Sequence, residues 1–153
     1  MEFGGNMNVK TQVDGQKIWD TFLNDTNILC SVIPGGQSVE KTGDKTYHVV
    51  MKQGLGPFKF TFDMEAEITE MRPPEHAVIA GRGQALGGMG DFTMTMTLDL
   101  KDKGDGSMDV SYNVNASVGG KLGSFGDRVI NAKAKGMEKD IVKSMEKALS
   151  GIS

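Results

Sequence analysis

The clearest pattern in the chain is an alternation over residues 58–69. Phe58, Phe60, Phe62, Met64, Ala66 and Ile68 take turns with Lys59, Thr61, Asp63, Glu65, Glu67 and Thr69. Successive side chains of a strand point to opposite faces, so this segment predicts a strand with one face buried. The same period returns where Phe92, Met94, Met96, Leu98 and Leu100 alternate with Asp91, Thr93, Thr95, Thr97 and Asp99. It returns again at Met108, Val110, Tyr112, Val114, Ala116 and Val118. Shorter strands are expected at 37–42 and 46–53, around the turn at Gly43-Asp44-Lys45. Another is expected at 76–87, where Gly81 and Gly83 imply strong curvature. Residues 3–13 alternate loosely, as an edge strand does. Two short helices are predicted after it. Asp14 can cap one carrying Ile18, Trp19, Phe22 and Leu23; Asp25 or Thr26 can cap the next, through Ile28, Leu29 and Val32, which Pro34-Gly35-Gly36 ends.

From about residue 120 the period becomes helical. Leu122, Phe125, Val129, Met137, Ile141, Met145 and Leu149 recur at three- and four-residue spacing or its multiples. A helix over 120–149 would be roughly 45 Å long, enough to lie across a whole sheet. Gly123, Gly126 and Gly136 fall inside it. Each costs about 1 kcal/mol relative to alanine, so a packing or bending reason is expected near Gly123 and Gly126. The order is β-α-α-β6-α. It predicts one α+β domain over residues 1–153, with a curved antiparallel sheet of about seven strands covered by the long C-terminal helix. A helix cannot touch all of a strongly curved sheet. A cavity lined by Phe, Met and Tyr is the expected consequence.

Composition narrows the function classes. A chain of 153 residues can bury a core without disulfides, and the single cysteine, Cys30, excludes an intramolecular one. That fits a reducing compartment. The net charge of −3 argues against nucleic acid as a partner. There is no 18-residue apolar run and no basic-then-apolar leader pattern at Met1-Glu2-Phe3-Gly4-Gly5, so a cytoplasmic protein is expected. Eleven methionines against 21 glycines fit an adaptable apolar wall on a sharply bent sheet. The glycine clusters at 81–83 and 87–90 lack the Gly-Lys-Ser/Thr ending of a phosphate loop and lie between strands. Gly120-Lys121-Leu122-Gly123 is similar to the loop of a KH RNA-binding module, but the strand count and acidic balance are wrong for one. No Ser-His-Asp or Cys-His set is recognisable, and His48 and His76 have no ligand-spaced partner. The expectation is a protein without catalytic residues, metal or cofactor.

Several segments together carry a family resemblance. They are Cys30-Ser31-Val32-Ile33-Pro34-Gly35-Gly36 with Glu40-Lys41-Thr42-Gly43, then Val50-Met51-Lys52 leading to Leu55-Gly56-Pro57-Phe58. Pro73-Pro74-Glu75, Gly81-Arg82-Gly83 and the run from Ser117-Val118-Gly119-Gly120-Lys121-Leu122 to Ile130 follow. In this order they resemble the carbon monoxide dehydrogenase G-subunit family, from the N-terminus to about residue 148. The family belongs to the START-like (SRPBCC) superfamily, whose helix-grip fold wraps a curved sheet around a long helix. The resemblance implies a hydrophobic cavity that holds a quinone or lipid-like molecule, and a molybdenum hydroxylase partner brought to the membrane quinone pool. Longer members carry a C-terminal extension that serves as an anchor. None is seen up to Ser153, which leaves at most peripheral contact at the inner face of the membrane.

The residues expected to line the cavity are Leu29, Ile33, Phe60, Phe62, Met94, Met96, Tyr112, Phe125, Val129 and Met137. Tyr112 lies mid-strand on the apolar face and its hydroxyl needs a partner, so it is the candidate polar contact, with Arg82 second. Residues 119–149 hold seven Lys/Arg and four Asp/Glu, a net +3 against −6 on the rest. Such a helix can rest on an anionic bilayer or simply face water. Two alternatives remain: an assembly factor with a filled interior, and a cyclase- or hydrolase-like enzyme using His48, Tyr112, Arg82 or an acid in the cavity.

Overall fold

The computed structural model describes residues 1–152. Strand β1 (Glu2–Lys10) leads to helices α1 (Gly15–Asn24) and α2 (Thr26–Val32). Strands β2 (Gly36–Lys41), β3 (Thr46–Leu55), β4 (Phe58–Arg72), β5 (His76–Ala85), β6 (Gly90–Asp102) and β7 (Ser107–Val118) follow. Helices α3 (Gly120–Gly123) and α4 (Gly126–Ser150) complete the described chain. The seven strands form one sheet in the order β1-β7-β6-β5-β4-β3-β2, every pair antiparallel. The expected element order is therefore observed up to the C-terminal helix, which is divided into α3 and α4.

Local chemistry explains the boundaries. The Asp14 carboxylate accepts from the Lys17 N–H at 3.1 Å and starts α1. Asp25 accepts from the N–H groups of Asn27 and Ile28 and starts α2, satisfying donors that a helix start leaves free. The long C-terminal helix differs from the single rod that its spacing predicts. The helix breaks at Ser124-Phe125, and Gly126 sits at φ +81°, a region that a side chain would strain. The break turns Phe125 into the aromatic end of the sheet. There it meets Phe58 and Phe60 edge-on, with both ring centroids at 5.8 Å.

Apolar packing falls into three clusters. The first joins Val9, Met108 and Val110 of the β1–β7 side to Ile18 of α1, Val32 of α2 and Met145 and Leu149 of α4. In the second, α2 packs on Val39, Tyr47, Val49 and Ile68. The third is the aromatic end, with Leu55, Phe60, Ala85 and Leu122 buried among Phe58, Phe62, Phe92 and Phe125. Aromatic pairs of this geometry contribute about 0.5–1.5 kcal/mol each beyond their buried area.

On the outer face His76 ties β5 to both neighbours. Its Nδ1 lies 2.7 Å from Asp99 of β6 and its Nε2 lies 3.1 Å from Glu70 of β4. The bond to Asp99, then that to Glu70, raises the imidazole above its ordinary value. A raised folded-state value means that the stabilisation is full below the unfolded imidazole value, near 6.5, and fades as pH rises through the folded one. His76→Gln should therefore lower the urea midpoint most at roughly pH 5.5, where the carboxylates are still charged, and least at about pH 8.5. Equal losses at both pH values would contradict this role.

Candidate functional site

Helix α4 makes its closest backbone approaches to β1, β3 and α2. In the sheet, β1 and β3 are separated by β7, β6, β5 and β4. The sheet therefore curls until two distant parts of it reach the same helix, while the strands between them stay further away. Their concave face carries Phe62 and Met64 of β4 and Met94 and Met96 of β6, all only partly buried. Met137 of α4 and Tyr112 of β7 are likewise partly buried. Met94, Met96, Tyr112 and Met137 belong to none of the three packed clusters. Met94, Met96 and Tyr112 share one face of the sheet in register, outside its packed core. This is the candidate site.

The ten residues expected to line a cavity divide among several surroundings. Met94, Met96 and Tyr112 lie on the concave face and Met137 on α4, all partly buried. Phe60, Phe62 and Phe125 meet at the aromatic end, where Phe60 is buried and the Phe60–Phe62 centroid distance is 5.9 Å. Leu29 and Ile33 are drawn into the second cluster under α2. Val129 is 42% exposed, on the edge of the first turns of α4.

The Tyr112 hydroxyl does have a buried-side partner. It donates to Glu138 Oε2 of α4 at 2.6 Å, and Lys135 Nζ lies 3.6 Å from the same oxygen. Lys135 also donates to the Gly4 carbonyl. Burial first, and then the bond to the Glu138 carboxylate, push the Tyr112 phenol well above its ordinary value, so it remains a proton donor. Gly5 makes room for this group. A Cβ there would stand 2.6 Å from Lys135 Nζ and 2.7 Å from Glu138 Oε2. The group therefore latches α4 to the β1–β7 edge. Sequence periodicity did not mark Glu138, because its partner is 26 residues away on another element. Met64 was readable, since it shares the strand face of Phe60 and Phe62.

Arg82 and His48 lie on the other face of the sheet. Arg82 is exposed and pairs in register with Glu65, and His48 lies between buried Tyr47 and Val49. His48 Nε2 is 2.9 Å from Asp63 Oδ1, a bond that raises the imidazole above its ordinary value. Arg82 is thus corrected from a candidate cavity residue to an outer-face one. His48, Arg82 and Tyr112 are not gathered at one place. A shallow outer-face depression of about 650 Å³ contains Asp63, Glu65, Arg82 and Asp91 beside Phe92 and Val118, and is open to solvent. Among the described residues, no group of three or more His, Cys, Asp or Glu is placed to hold a metal ion.

On α4, Glu138 and Glu146 are turned toward β1 and β7: Glu138 to Tyr112, and Glu146 to the Lys10 N–H at 2.8 Å. The exposed back keeps Arg128, Lys139, Lys143 and Lys147 against Asp127 and Asp140. No described helix is long and apolar enough to cross a membrane.

The family model for the carbon monoxide dehydrogenase G-subunit, CoxG, matches residues 5–150. The chain belongs to the CoxG family. A conserved protein from Geobacillus kaustophilus is similar along 99% of this chain and 96% of its own, at 26% identity and a TM-score of 0.85. A START superfamily protein from Mycobacterium smegmatis aligns over 99% of both chains at 9% identity and a TM-score of 0.69. A protein from Thermus thermophilus aligns over 100% of this chain and 99% of its own at 13% identity and a TM-score of 0.67. None of the curated proteins matches in sequence. This CoxG family member thus has a START-like fold, and family and fold together point to a ligand-binding accessory role.

Replacing Tyr112 with Phe should loosen α4 by removing a hydrogen bond to a charged acceptor. The expected loss is about 1–2 kcal/mol in urea unfolding, since the group is partly exposed. No loss would mean that the latch contributes nothing to closure.

Proposed function

We propose that this protein is a non-catalytic holder of an apolar molecule, quinone or lipid-like, in the space between α4 and the middle strands. The observation that carries the reading is the set Met94, Met96, Tyr112 and Met137, apolar or amphipathic, partly buried yet outside every packed cluster. Small-molecule sites are mostly apolar with a few polar groups that fix orientation. Tyr112 and Glu138 supply such groups at one edge. Methionine suits the walls because its unbranched thioether adapts to differently shaped occupants. Family membership extends the proposal: the holder helps bring a molybdenum hydroxylase to the membrane quinone pool. A holder of an insoluble ligand has to visit a bilayer. The basic back of α4 fits that visit from the cytoplasmic side, because attraction to anionic lipid amounts to about 1 kcal/mol per basic residue near the surface.

Native mass spectrometry of protein purified from its own source, followed by organic extraction, tests the reading. A co-purifying quinone or lipid is expected, in a one-to-one complex. Protein that is empty, and that takes up neither menaquinone nor fatty acid in a thermal-shift titration, would overturn it in favour of an assembly role.

A further inference from the structure

Three connections meet at the aromatic end of the sheet. They are the β3–β4 turn at Gly56-Pro57, the β5–β6 turn over Leu86-Gly87-Gly88-Met89, and the segment from Gly119 to Gly126 that leads from β7 to α4. The third cluster ties them together, since Leu55, Phe58, Met89, Leu122 and Phe125 all pack in it. The Leu122 N–H also donates to the Met89 carbonyl at 2.9 Å. Beyond this cluster the turns stand free. A Cβ at Gly56, Gly88 or Gly126 would meet nothing within 4 Å, so the backbone there projects into solvent.

What these turns carry outward is apolar. Among the described residues the exposed large hydrophobic side chains are Leu86 at 43% and Val129 at 42%, and both belong to this end. Leu86 opens the β5–β6 turn, and Val129 lies in the first turn of α4. Pro57 is exposed as well, and Phe58 and Phe125 are only partly buried. Basic side chains accompany them. The stretches 52–59, 86–91 and 118–129 hold Lys52, Lys59, Lys121 and Arg128 against Asp91 and Asp127, on a chain whose net charge is −3. Lys121 Nζ lies 4.1 Å from the Phe58 ring centroid, so a cation is held beside an incompletely covered ring. One exposed leucine or valine is ordinary. Two at the same end, on uncovered turns and among cations, make the kind of surface that seats in the head-group boundary of an anionic bilayer.

We infer that this end of the domain is a bilayer-contact tip. Pro57, Leu86 and Val129 enter the head-group boundary, and Lys59, Lys121 and Arg128 meet the lipid phosphates. The domain then stands on its tip, with the start of α4 toward the lipid. Lys139, Lys143 and Lys147, further along the helix, add attraction during approach without touching the surface. The inference specifies the bilayer visit of the holder reading, and its test needs no ligand.

Vesicles of phosphatidylcholine and phosphatidylglycerol are the probe. Protein carrying Leu86→Trp should show a blue-shifted emission on binding them, quenched by lipids brominated on the acyl chains. The parent protein should show neither change, because its one tryptophan, Trp19, is buried and donates to the Pro74 carbonyl beyond the other end of β5. In vesicle sedimentation, Leu86→Gln/Val129→Gln and Lys59→Gln/Arg128→Gln should each weaken binding by about tenfold, since affinity follows both buried apolar area and attraction to anionic lipid. Lys139→Gln/Lys143→Gln should lose less than either. All six replaced side chains are exposed, so the fold should survive, and Trp19 emission reports it. Binding kept by both tip pairs but lost with the Lys139/Lys143 pair would overturn the tip in favour of contact along the helix back. Unshifted emission from vesicle-bound Leu86→Trp protein would overturn it too; should that variant fail to fold, sedimentation decides alone. Parent protein that binds no vesicles would also overturn the tip, while ligand uptake, measured separately by native mass spectrometry, decides the holder reading.

Discussion

The structure depends on one geometric constraint: a single helix has to close a sheet that curls around it. The helix α4 can be gripped at β1 and β3, but a cylinder about 10 Å across cannot also touch the floor of a wide trough. Close packing is therefore achieved at the margins. Leu149 and Met145 seal one end against Val9, Met108 and Ile18. The rings of Phe58, Phe60 and Phe125 seal the other. The side chains between these seals keep the alternation of a core but not its full burial.

The constraint also accounts for two features that look incidental in isolation. The break before Gly126 lets Phe125 plug the aromatic end instead of continuing a straight rod past it. The Tyr112–Glu138–Lys135 group, beside Gly5, holds the helix to the β1 edge by polar contacts where apolar ones thin out. Both acids that α4 directs at the sheet edge leave its outer face basic. One set of contacts thus closes the domain and shapes the charge that the helix presents to its surroundings.

Strand positions and faces were legible because one face of each strand is buried, and a period of two then follows. The helix N-caps at Asp14 and Asp25 were legible because their chemistry is local. What was not legible depends on register between distant segments. His48 and Arg82 were candidates for the cavity, and only the register of the sheet places both on its other face. The pairing of Glu65 with Arg82, and of Glu138 with Tyr112, exists only once the sheet has formed. Val129 kept helical spacing yet is exposed on α4. Leu29 and Ile33 carried the right hydrophobicity, but α2 commits them to the second cluster. The family resemblance supplied the helix-grip fold, and the seven-stranded curved sheet agrees with it.

The central claim is that apolar space remains between α4 and the middle strands. Crystals pressurised with xenon test it most directly, because xenon enters dry apolar cavities. The account predicts xenon beside Met94, Met96 and Met137, beneath the helix. Crystals that take up no xenon there, with those methionines packed against one another at core density, would contradict it.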